Sequence, residues 1–260
     1  MNTSLSTPSH ASAEALARAV PQPINPVVDS ADWVERLGRA GARFIQLRLK
    51  DMPAAALLAE IRRGGAPRGG RGGLRGGGAV GGGGGYPGAP RPPPPPAPGG
   101  DAGRGGRPRA PELGVCLVLN DYWRIALDEG IDYIHLGQED LDTADLAAIR
   151  QGGLRLGIST HCHAELERAL ACGPDYVALG PIWETRLKKM AFGPQGTEKL
   201  TEWRELIGSM PLVAIGGITL ERAGSCIAAG ADCVAAVSDF IRHPDPEGQV
   251  KACLAATIRG

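Results

Sequence analysis

The stretch LVAIGGITLERAGSCIAAGADCVAAVSD (212–239) decides the fold, because the rest of the chain repeats its pattern. Its apolar run 212–215 predicts a buried strand, a Gly-Gly turn follows, and Thr219 marks the start of a helix. A second apolar run at 233–237 predicts another strand. Strands joined through a crossover helix lie parallel in one sheet, so this stretch predicts a β–α–β unit.

The same alternation of short apolar runs and helical patterns extends through most of the chain. The predicted strands cover 24–28, 44–48, 115–119, 133–136, 154–158, 176–179, 212–215 and 233–237. The helices are expected to begin near Ser30, Pro53, Tyr122, Thr143, His163, Glu198, Thr219 and Pro246. Eight such units predict an α/β fold, a single-domain (β/α)8 TIM barrel, because no strand is left over to form a sheet edge. An open, doubly wound parallel sheet is the structural alternative.

Residues 64–110 interrupt this pattern with 20 of the chain's 39 Gly and 10 of its 22 Pro. Such a composition buries too little apolar surface to offset the entropy of ordering, which predicts a disordered insertion between the second barrel helix and the third strand. Residues 1–22 are predicted to form a disordered N-terminal tail, which leaves 23–63 and 111–260 for the barrel. The insertion lies on the face opposite the carboxyl ends of the strands, where barrel enzymes hold their active sites.

The overall charge and composition exclude several classes of protein. Lys plus Arg and Asp plus Glu each total 28, so the net charge of zero predicts no general attraction to nucleic acid or anionic membranes. No apolar run is long enough to span a membrane and the polar N-terminus does not resemble a signal peptide, so we expect a cytoplasmic location. The six Cys include no CxxC pair and are typical of reduced, buried thiols. Arg-Gly repeats in the insertion resemble RNA-binding tails, but Tyr86 is its only aromatic residue.

The second predicted strand ends in QLRLK (46–50), where polar and apolar side chains alternate. This alternation directs Gln46, Arg48 and Lys50 to the same side of an extended chain. Two cations and an amide on one face could bind an anionic substrate. The alternative interpretation is a solvated strand end that forms surface ion pairs.

Two carboxylates follow neighbouring predicted strands. Asp121 comes directly after Asn120 at the end of the third strand, and Asp140 follows the fourth. Neighbouring carboxylates repel unless a cation or a proton lies between them, and Mg²⁺ typically takes one or two protein carboxylates together with phosphate oxygens. The pair therefore predicts a Mg²⁺ site. The alternative is that each Asp caps the helix that follows it.

Ser159 follows the fifth predicted strand, and a basic loop at 180–196 with Lys188 follows the sixth. A long loop bounded by Gly and Pro is typical of a mobile cover over an anionic substrate. His161 and His163 are potential zinc ligands. The side chains of residues two positions apart diverge at the start of a helix, however, and no further ligand has the spacing of a zinc site. A capping role for the histidine is favoured.

The ends of the last two strands favour phosphate binding. Gly217 belongs to a Gly-Gly turn after the seventh strand, and Ser238 follows Val237 at the end of the eighth. Backbone N–H groups at such turns bind phosphate without a charged side chain, and phosphate sites of barrel enzymes are frequently at the loops after strands seven and eight.

Seven of these strand-end segments together resemble the thiamine phosphate synthase family. They are QLRLK (46–50), LNDYW (119–123), HLGQED (135–140), GISTH (157–161), ALGPIW (178–183), LKKMAFGPQG (187–196) and VAIGGIT (213–219). The resemblance covers nearly everything outside the N-terminal tail and the insertion. It implies a barrel enzyme that uses Mg²⁺ to join 4-amino-2-methyl-5-(diphosphooxymethyl)pyrimidine, the pyrimidine diphosphate, to a thiazole phosphate with release of pyrophosphate.

The resemblance also implies a role for each site residue. Contacts to the pyrimidine diphosphate would come from Gln46, Arg48, Lys50, Asn120, Ser159 and Lys188. The catalytic residues among these would be Arg48, Ser159 and Lys188. The metal ligands would be Asp121 and Asp140, and the thiazole phosphate would bind at Thr185, Gly217, Val237 and Ser238. No side-chain nucleophile is required, because positioning and electrostatic stabilisation of the leaving diphosphate promote the reaction.

Two features depart from the family pattern. Glu184 precedes Thr185 where the family usually has Pro, and Arg186 follows where a small or apolar residue is usual. The insertion replaces the end of the second barrel helix and a short link. Two other functions remain open from the sequence: a thiazole tautomerase, which shares the barrel but expels no pyrophosphate, and an inert barrel whose Arg/Gly segment binds RNA.

Overall fold

The computed structural model describes residues 11–65, 110–185 and 192–257. Eight parallel strands form one closed barrel in chain order, with β8 paired to β1. They are β1 (Ile24–Val28), β2 (Phe44–Leu47), β3 (Cys116–Asn120), β4 (Tyr133–Leu136), β5 (Arg155–Thr160), β6 (Tyr176–Leu179), β7 (Leu212–Ile215) and β8 (Cys233–Ala236). The predicted TIM barrel is confirmed, and the open sheet is excluded.

Helices alternate with these strands. They are α1 (Ala11–Ala19), α2 (Ala31–Ala40), α3 (Ala54–Gly64), α4 (Trp123–Glu129), α5 (Leu146–Gln151), α6 (His163–Ala171), α7 (Gly196–Ile207), α8 (Leu220–Ala228), α9 (Ser238–Ile241) and α10 (Pro246–Ala256). Two 3₁₀ turns, at Ala110–Leu113 and Asp140–Asp142, precede β3 and follow β4. None of the helices in the described ranges is long and apolar enough to cross a membrane.

Local sequence sets several helix ends. Asp145 accepts a hydrogen bond from the Ala148 N–H at 2.9 Å and so caps the start of α5. Asp245 caps α10 in the same way, and Pro246 at the first helical position needs no N–H partner. Gly41 ends α2 at φ 114°, a conformation that most side chains disfavour.

The core has two layers, because side chains alternate across each strand. Side chains that point outward pack between the barrel and the helices, as Leu47 and Leu119 do. Those that point inward fill the barrel, where the rings of Phe44, Tyr133 and Tyr176 lie with centroids 5.6–6.1 Å apart. The barrel is therefore a packed core, and a substrate can bind only at one of its ends.

The N-terminal region corrects one expectation. Residues 1–22 were predicted to be a disordered tail, but residues 11–19 form helix α1. Ala19 and Val20 are buried against the cluster inside the barrel, and the Tyr133 hydroxyl donates to the Ala19 carbonyl at 2.9 Å. Tyr133 is the first residue of β4, so α1 closes the barrel at the end where the strands begin.

The structure fixes the two points between which the insertion runs. Helix α3 ends at Gly64, and the chain is described again from Ala110, which leads into β3. The insertion was predicted to cover 64–110, but Gly64 belongs to α3 and Ala110 begins a 3₁₀ turn, so its predicted ends are wrong. The predicted disorder of residues 66–109 lies outside the described residues. Leu57 and Ile61 are buried, and Arg62 forms an ion pair with Glu129 of α4 at 2.8 Å. The eleven residues of α3 therefore still cover their side of the barrel.

Candidate active site

The predicted anion-binding side chains lie at the mouth of the barrel, where strand β2 ends. Gln46 is buried and Arg48 is half-buried, whereas Lys50 is exposed. Arg48 is held in place because its backbone N–H donates to the Val28 carbonyl of β1 at 2.8 Å. The charges of both Arg48 and Lys50 act on the carboxyl group of Asp121, so the two cations face the neighbouring strand end.

Asp121 lies in the turn after β3, with an unusual backbone conformation. Its φ is 69°, and its N–H donates to the carbonyl of His135 at 2.9 Å. Asn120, which precedes it, ends β3 with its side chain buried. A residue other than glycine with positive φ is uncommon, and such conformations cluster at functional sites. The turn therefore directs Asp121 toward the strand ends at some conformational cost.

Asp121 and Asp140 come together across the ends of β3 and β4. Burial, the charge of Asp140 and a hydrogen bond with its side chain together raise the pKa of Asp121 to about 6, although the charges of Arg48 and Lys50 oppose the shift. Asp140 also accepts the Gly137 N–H at 2.9 Å, which fixes its carboxylate. Two carboxyl groups that share a proton in this way are poised to exchange it for a cation.

The donor set at this pair matches Mg²⁺ better than a transition metal. Among the residues that the structure describes, no group of three or more His, Cys, Asp or Glu could hold a metal ion. A two-carboxylate site leaves most coordination positions to water and phosphate oxygens, which is the usual arrangement for Mg²⁺. The capping alternative does not suit Asp121, because the N-cap position of α4 is occupied by Tyr122.

Ser159 takes part in a chain of hydrogen bonds that sequence reasoning missed. Its hydroxyl lies 2.8 Å from Nε2 of His135, and Nδ1 of His135 lies 2.7 Å from the Tyr176 hydroxyl. Burial and, to a smaller extent, the charge of Arg48 lower the pKa of His135 to about 4, so the imidazole is neutral near pH 7. A sequence signal existed, because His135 is a polar residue within the apolar strand YIHL and is buried there.

The Gly-Gly turn after β7 packs tightly against the loop after β6. Gly217 has a φ of 65°, and a Cβ there would lie 2.6 Å from the Glu184 carbonyl oxygen and 2.8 Å from Cβ of Trp183. The turn is further held by a bond from the Trp183 N–H to the Gly216 carbonyl at 3.0 Å. Glycine is thus required for the backbone to reach this position, where its N–H groups could bind phosphate.

The remaining predicted site residues are placed as follows. Val237 follows β8, and Ser238, half-buried, begins α9 beside it. Thr185 is half-buried in the loop after β6, next to the exposed Glu184. Lys188, like Arg186, falls within residues 186–191, which lie outside the described residues. Its predicted role therefore stays a prediction.

The two histidines considered for zinc have other partners. His161 Nδ1 lies 2.7 Å from a carboxylate oxygen of Glu165, and the ring stacks on Phe192 at 5.1 Å. His163 contacts Glu202 on α7. The two side chains therefore contact carboxylates on different helices, Glu165 on α6 and Glu202 on α7.

Comparisons with known proteins identify the family to which this chain belongs. A family model described as thiamine monophosphate synthase matches residues 103–240. A thiamine-phosphate synthase of Rhizobium etli is 49% identical over 232 residues, which cover 89% of this chain and 93% of the relative. A thiamine-phosphate synthase of Neisseria meningitidis serogroup A is 40% identical over 229 residues, which cover 88% and 91% of the two chains.

Solved structures support the same fold at lower identity. The thiamine phosphate pyrophosphorylase of Pyrococcus furiosus is similar with a TM-score of 0.63 at 19% identity, covering 90% of this chain and 95% of that one. A 3-hexulose-6-phosphate synthase of Salmonella typhimurium is similar with a TM-score of 0.57 at 12% identity, covering 91% and 98%. At these identities the likeness concerns the barrel fold alone.

Proposed function

Because this chain belongs to the thiamine monophosphate synthase family, we propose that it is a transferase that joins the pyrimidine diphosphate to a thiazole phosphate, giving thiamine phosphate and pyrophosphate. One structural observation supports the proposal independently of the similarity to the family. Asp121 and Asp140 share a hydrogen bond at the barrel mouth, within the electrostatic reach of Arg48 and Lys50. Two carboxylates beside two cations are suited to a diphosphate that arrives with a divalent cation.

In the proposed reaction, the bond between the methylene carbon and the diphosphate oxygen breaks, and both electrons leave with the oxygen. The electron-rich aminopyrimidine ring stabilises the methylene cation that remains. The lone pair of the thiazole nitrogen then forms the new C–N bond. No side chain acts as a nucleophile, so the protein contributes through position and charge.

Arg48 and Lys50 stabilise the transition state, because negative charge grows on the diphosphate as the bond breaks. Preorganised cations in a partly water-excluded site are worth more there than in bulk water. Lys188, on the loop after β6, would add a third cation. Gln46 and Asn120 are buried amides at the same strand ends, and both have donors and acceptors for the pyrimidine.

Asp121 and Asp140 would hold Mg²⁺, which neutralises charge on the diphosphate when it is bound. Their shared hydrogen bond and the raised pKa of Asp121 fit this role, because a cation relieves the repulsion that otherwise keeps a proton in the pair. The Gly137 N–H keeps Asp140 oriented toward the site.

The thiazole phosphate would bind on the opposite side of the mouth. Gly217 offers its backbone N–H there, and Ser238 adds a hydroxyl beside Val237. Thr185 lies in the loop segment that packs against the Gly-Gly turn. This arrangement would leave the thiazole nitrogen free to face the pyrimidine methylene carbon.

The proposal is tested by product stoichiometry. We expect the purified protein to form equal amounts of thiamine phosphate and pyrophosphate from the two substrates with Mg²⁺, measured by mass spectrometry and a coupled phosphate assay. Neither product should form when either substrate is omitted. A folded protein that only isomerises the thiazole phosphate, or forms no thiamine phosphate, would contradict the proposal.

A further inference from the structure

A chain of hydrogen bonds runs through the inside of the barrel toward its mouth. A side-chain hydrogen bond joins Gln46 to the Tyr176 hydroxyl. That hydroxyl lies 2.7 Å from Nδ1 of His135, whose Nε2 lies 2.8 Å from the Ser159 hydroxyl. The chain thus connects a tyrosine buried in the barrel with a serine at the site proposed for the pyrimidine diphosphate.

Close packing fixes the middle of this chain. The His135 and Tyr176 rings stack with centroids 5.6 Å apart and planes 17° from parallel. Gly157 makes room for the tyrosine, because a Cβ at that position would lie 2.1 Å from its ring. Tyr176 is fully buried and His135 nearly so, which leaves no solvent to replace a missing partner. Each proton in the chain must therefore be shared among these side chains.

Two directions satisfy every donor and acceptor in this chain, and an anionic substrate that accepts from Ser159 selects the direction that starts at Gln46. In that direction the Gln46 amide N–H donates to the Tyr176 hydroxyl, which keeps its own proton because burial raises the pKa of the tyrosine well above its usual value. The Tyr176 hydroxyl is then left to donate to Nδ1 of His135. A neutral imidazole that accepts at Nδ1 carries its proton on Nε2, and this proton is donated to Ser159.

We propose that Tyr176 is a positioning residue for the reaction, because its hydroxyl fixes the tautomer of His135 and so leaves the Ser159 hydroxyl free to donate to the pyrimidine diphosphate. Ser159 already accepts from His135, so its own proton points to a group outside the chain. The substrate atom that it meets must be an acceptor, such as a ring nitrogen or a diphosphate oxygen. This inference rests on the proposed function for the identity of the substrate.

The tautomer can be observed without any turnover. We expect ¹⁵N NMR of histidine-labelled wild-type protein to show His135 protonated on Nε2 alone, with its signals assigned from their loss in His135→Gln. In Tyr176→Phe, the imidazole loses its donor at Nδ1 and should populate both tautomers. A wild-type His135 that carries its proton on Nδ1 would overturn the proposal, even if the variant proved difficult to fold.

Kinetics supply a matched control. Tyr133 belongs to the same aromatic cluster, but its hydroxyl bonds to Ala19 at the other end of the barrel. Tyr133→Phe therefore removes a comparable buried hydrogen bond. We expect Tyr176→Phe to lower kcat/KM for the pyrimidine diphosphate about fivefold, and Tyr133→Phe to leave it within about twofold. Equal losses in the two variants would show that the effect is structural only.

A double-mutant cycle tests whether Tyr176 acts through Ser159. In a Ser159→Ala background, Tyr176→Phe should cause no further loss of kcat/KM, whereas independent effects would multiply. A full fivefold loss in that background would contradict the inference. An inactive wild-type enzyme would contradict the proposed function instead, and an active wild type with an unaffected Tyr176→Phe variant would contradict the inference alone.

Discussion

The two ends of the barrel use buried side chains in opposite ways. At the end where the strands begin, α1 covers the interior with Ala19 and Val20, and the Tyr133 hydroxyl has a backbone partner. At the mouth, Asp121 has a positive φ and lies against Asp140 with a raised pKa. The closed end gains stability from satisfied contacts, whereas the mouth keeps like charges together. This contrast indicates that the mouth is organised for a ligand at the expense of local stability.

The largest expected effect comes from removing one carboxylate at the mouth. Asp121→Ala and Asp140→Ala should each lower kcat/KM at least about 100-fold, because the leaving diphosphate loses its bound cation. The thermal midpoint should change little, because relief of like-charge repulsion offsets the lost Gly137 hydrogen bond in Asp140→Ala and the cost of Ala at a positive φ in Asp121→Ala. An assay of pyrophosphate release tests the expected loss of activity, and thermal melting tests the expected stability.

Asp142 provides the control for these variants. It lies on the same 3₁₀ turn as Asp140 but is exposed and paired with Arg168. Asp142→Ala should change neither activity nor stability much, because exposed ion pairs contribute little. Equal losses of activity in Asp140→Ala and Asp142→Ala would remove the distinction between a metal ligand and a surface charge.

The opposite result is expected at the closed end. Val20→Asp should destabilise the fold by about 2 kcal/mol or more, because it places a charge among the apolar side chains inside the barrel. Ala17, on the exposed side of α1, gives the matched variant Ala17→Asp, which should cost little. Urea unfolding measures the difference, and kcat/KM of folded Val20→Asp should stay near the wild-type value. Indistinguishable unfolding curves for the two variants would show that α1 does not close the barrel in solution.

The pH dependence of Mg²⁺ binding is a further test that distinguishes the mouth of the barrel from its closed end. The pKa of Asp121 is raised to about 6 in the fold, above the ordinary value for an aspartate, so the folded state holds the extra proton between roughly pH 4 and 6. Stability from this group is therefore greatest at low pH and is lost as the pH rises through 6. Mg²⁺ must displace that proton, so its half-saturating concentration should rise about tenfold per pH unit below 6. An unchanged Mg²⁺ requirement between pH 5 and 7 would argue against the shared proton.

The smallest expected effect concerns the phosphate site. Gly217→Ala should raise KM for the thiazole phosphate about fivefold, with little change for the pyrimidine diphosphate, because a Cβ would push the turn away from Glu184 and Trp183. Gly208 is the matched control, since it also has a positive φ, 59°, but a Cβ there would meet nothing within 4 Å. Gly208→Ala should therefore cost stability without altering either KM. A similar rise in KM for both substrates would place Gly217 outside the thiazole phosphate site.

The fold could be predicted largely from the sequence, because apolar runs and strand-end polar residues are local signals. Even the differences at strand ends have a clear cause. Strand β5 runs to Thr160, two residues beyond the predicted end, since Ser159 and Thr160 pair with β6 and the Thr160 hydroxyl donates to Ala178 at 3.0 Å. Parallel strands bring their carboxyl ends together, so the meeting of Asp121 and Asp140 was predictable as well.

Other features depend on contacts between distant residues. Helix α1 is short and lies in a polar N-terminal region, and it is held by docking against Tyr133, more than 100 residues away. The alignment of Tyr176, His135 and Ser159 depends on the register of three strands, which no single segment encodes. The sequence showed which strand ends carry polar groups but not which buried side chains orient them.

The central claim is that Mg²⁺ and the diphosphate bind together between the carboxylates and the cations of the mouth. Calorimetric titration with pyrophosphate, the proposed product, tests it directly. We predict that saturating Mg²⁺ tightens pyrophosphate binding at least about tenfold, and that Asp121→Ala abolishes this coupling while Arg48→Ala weakens binding with or without Mg²⁺. Pyrophosphate affinity that is the same with Mg²⁺ and with a chelator, in a folded wild-type protein, would contradict the account.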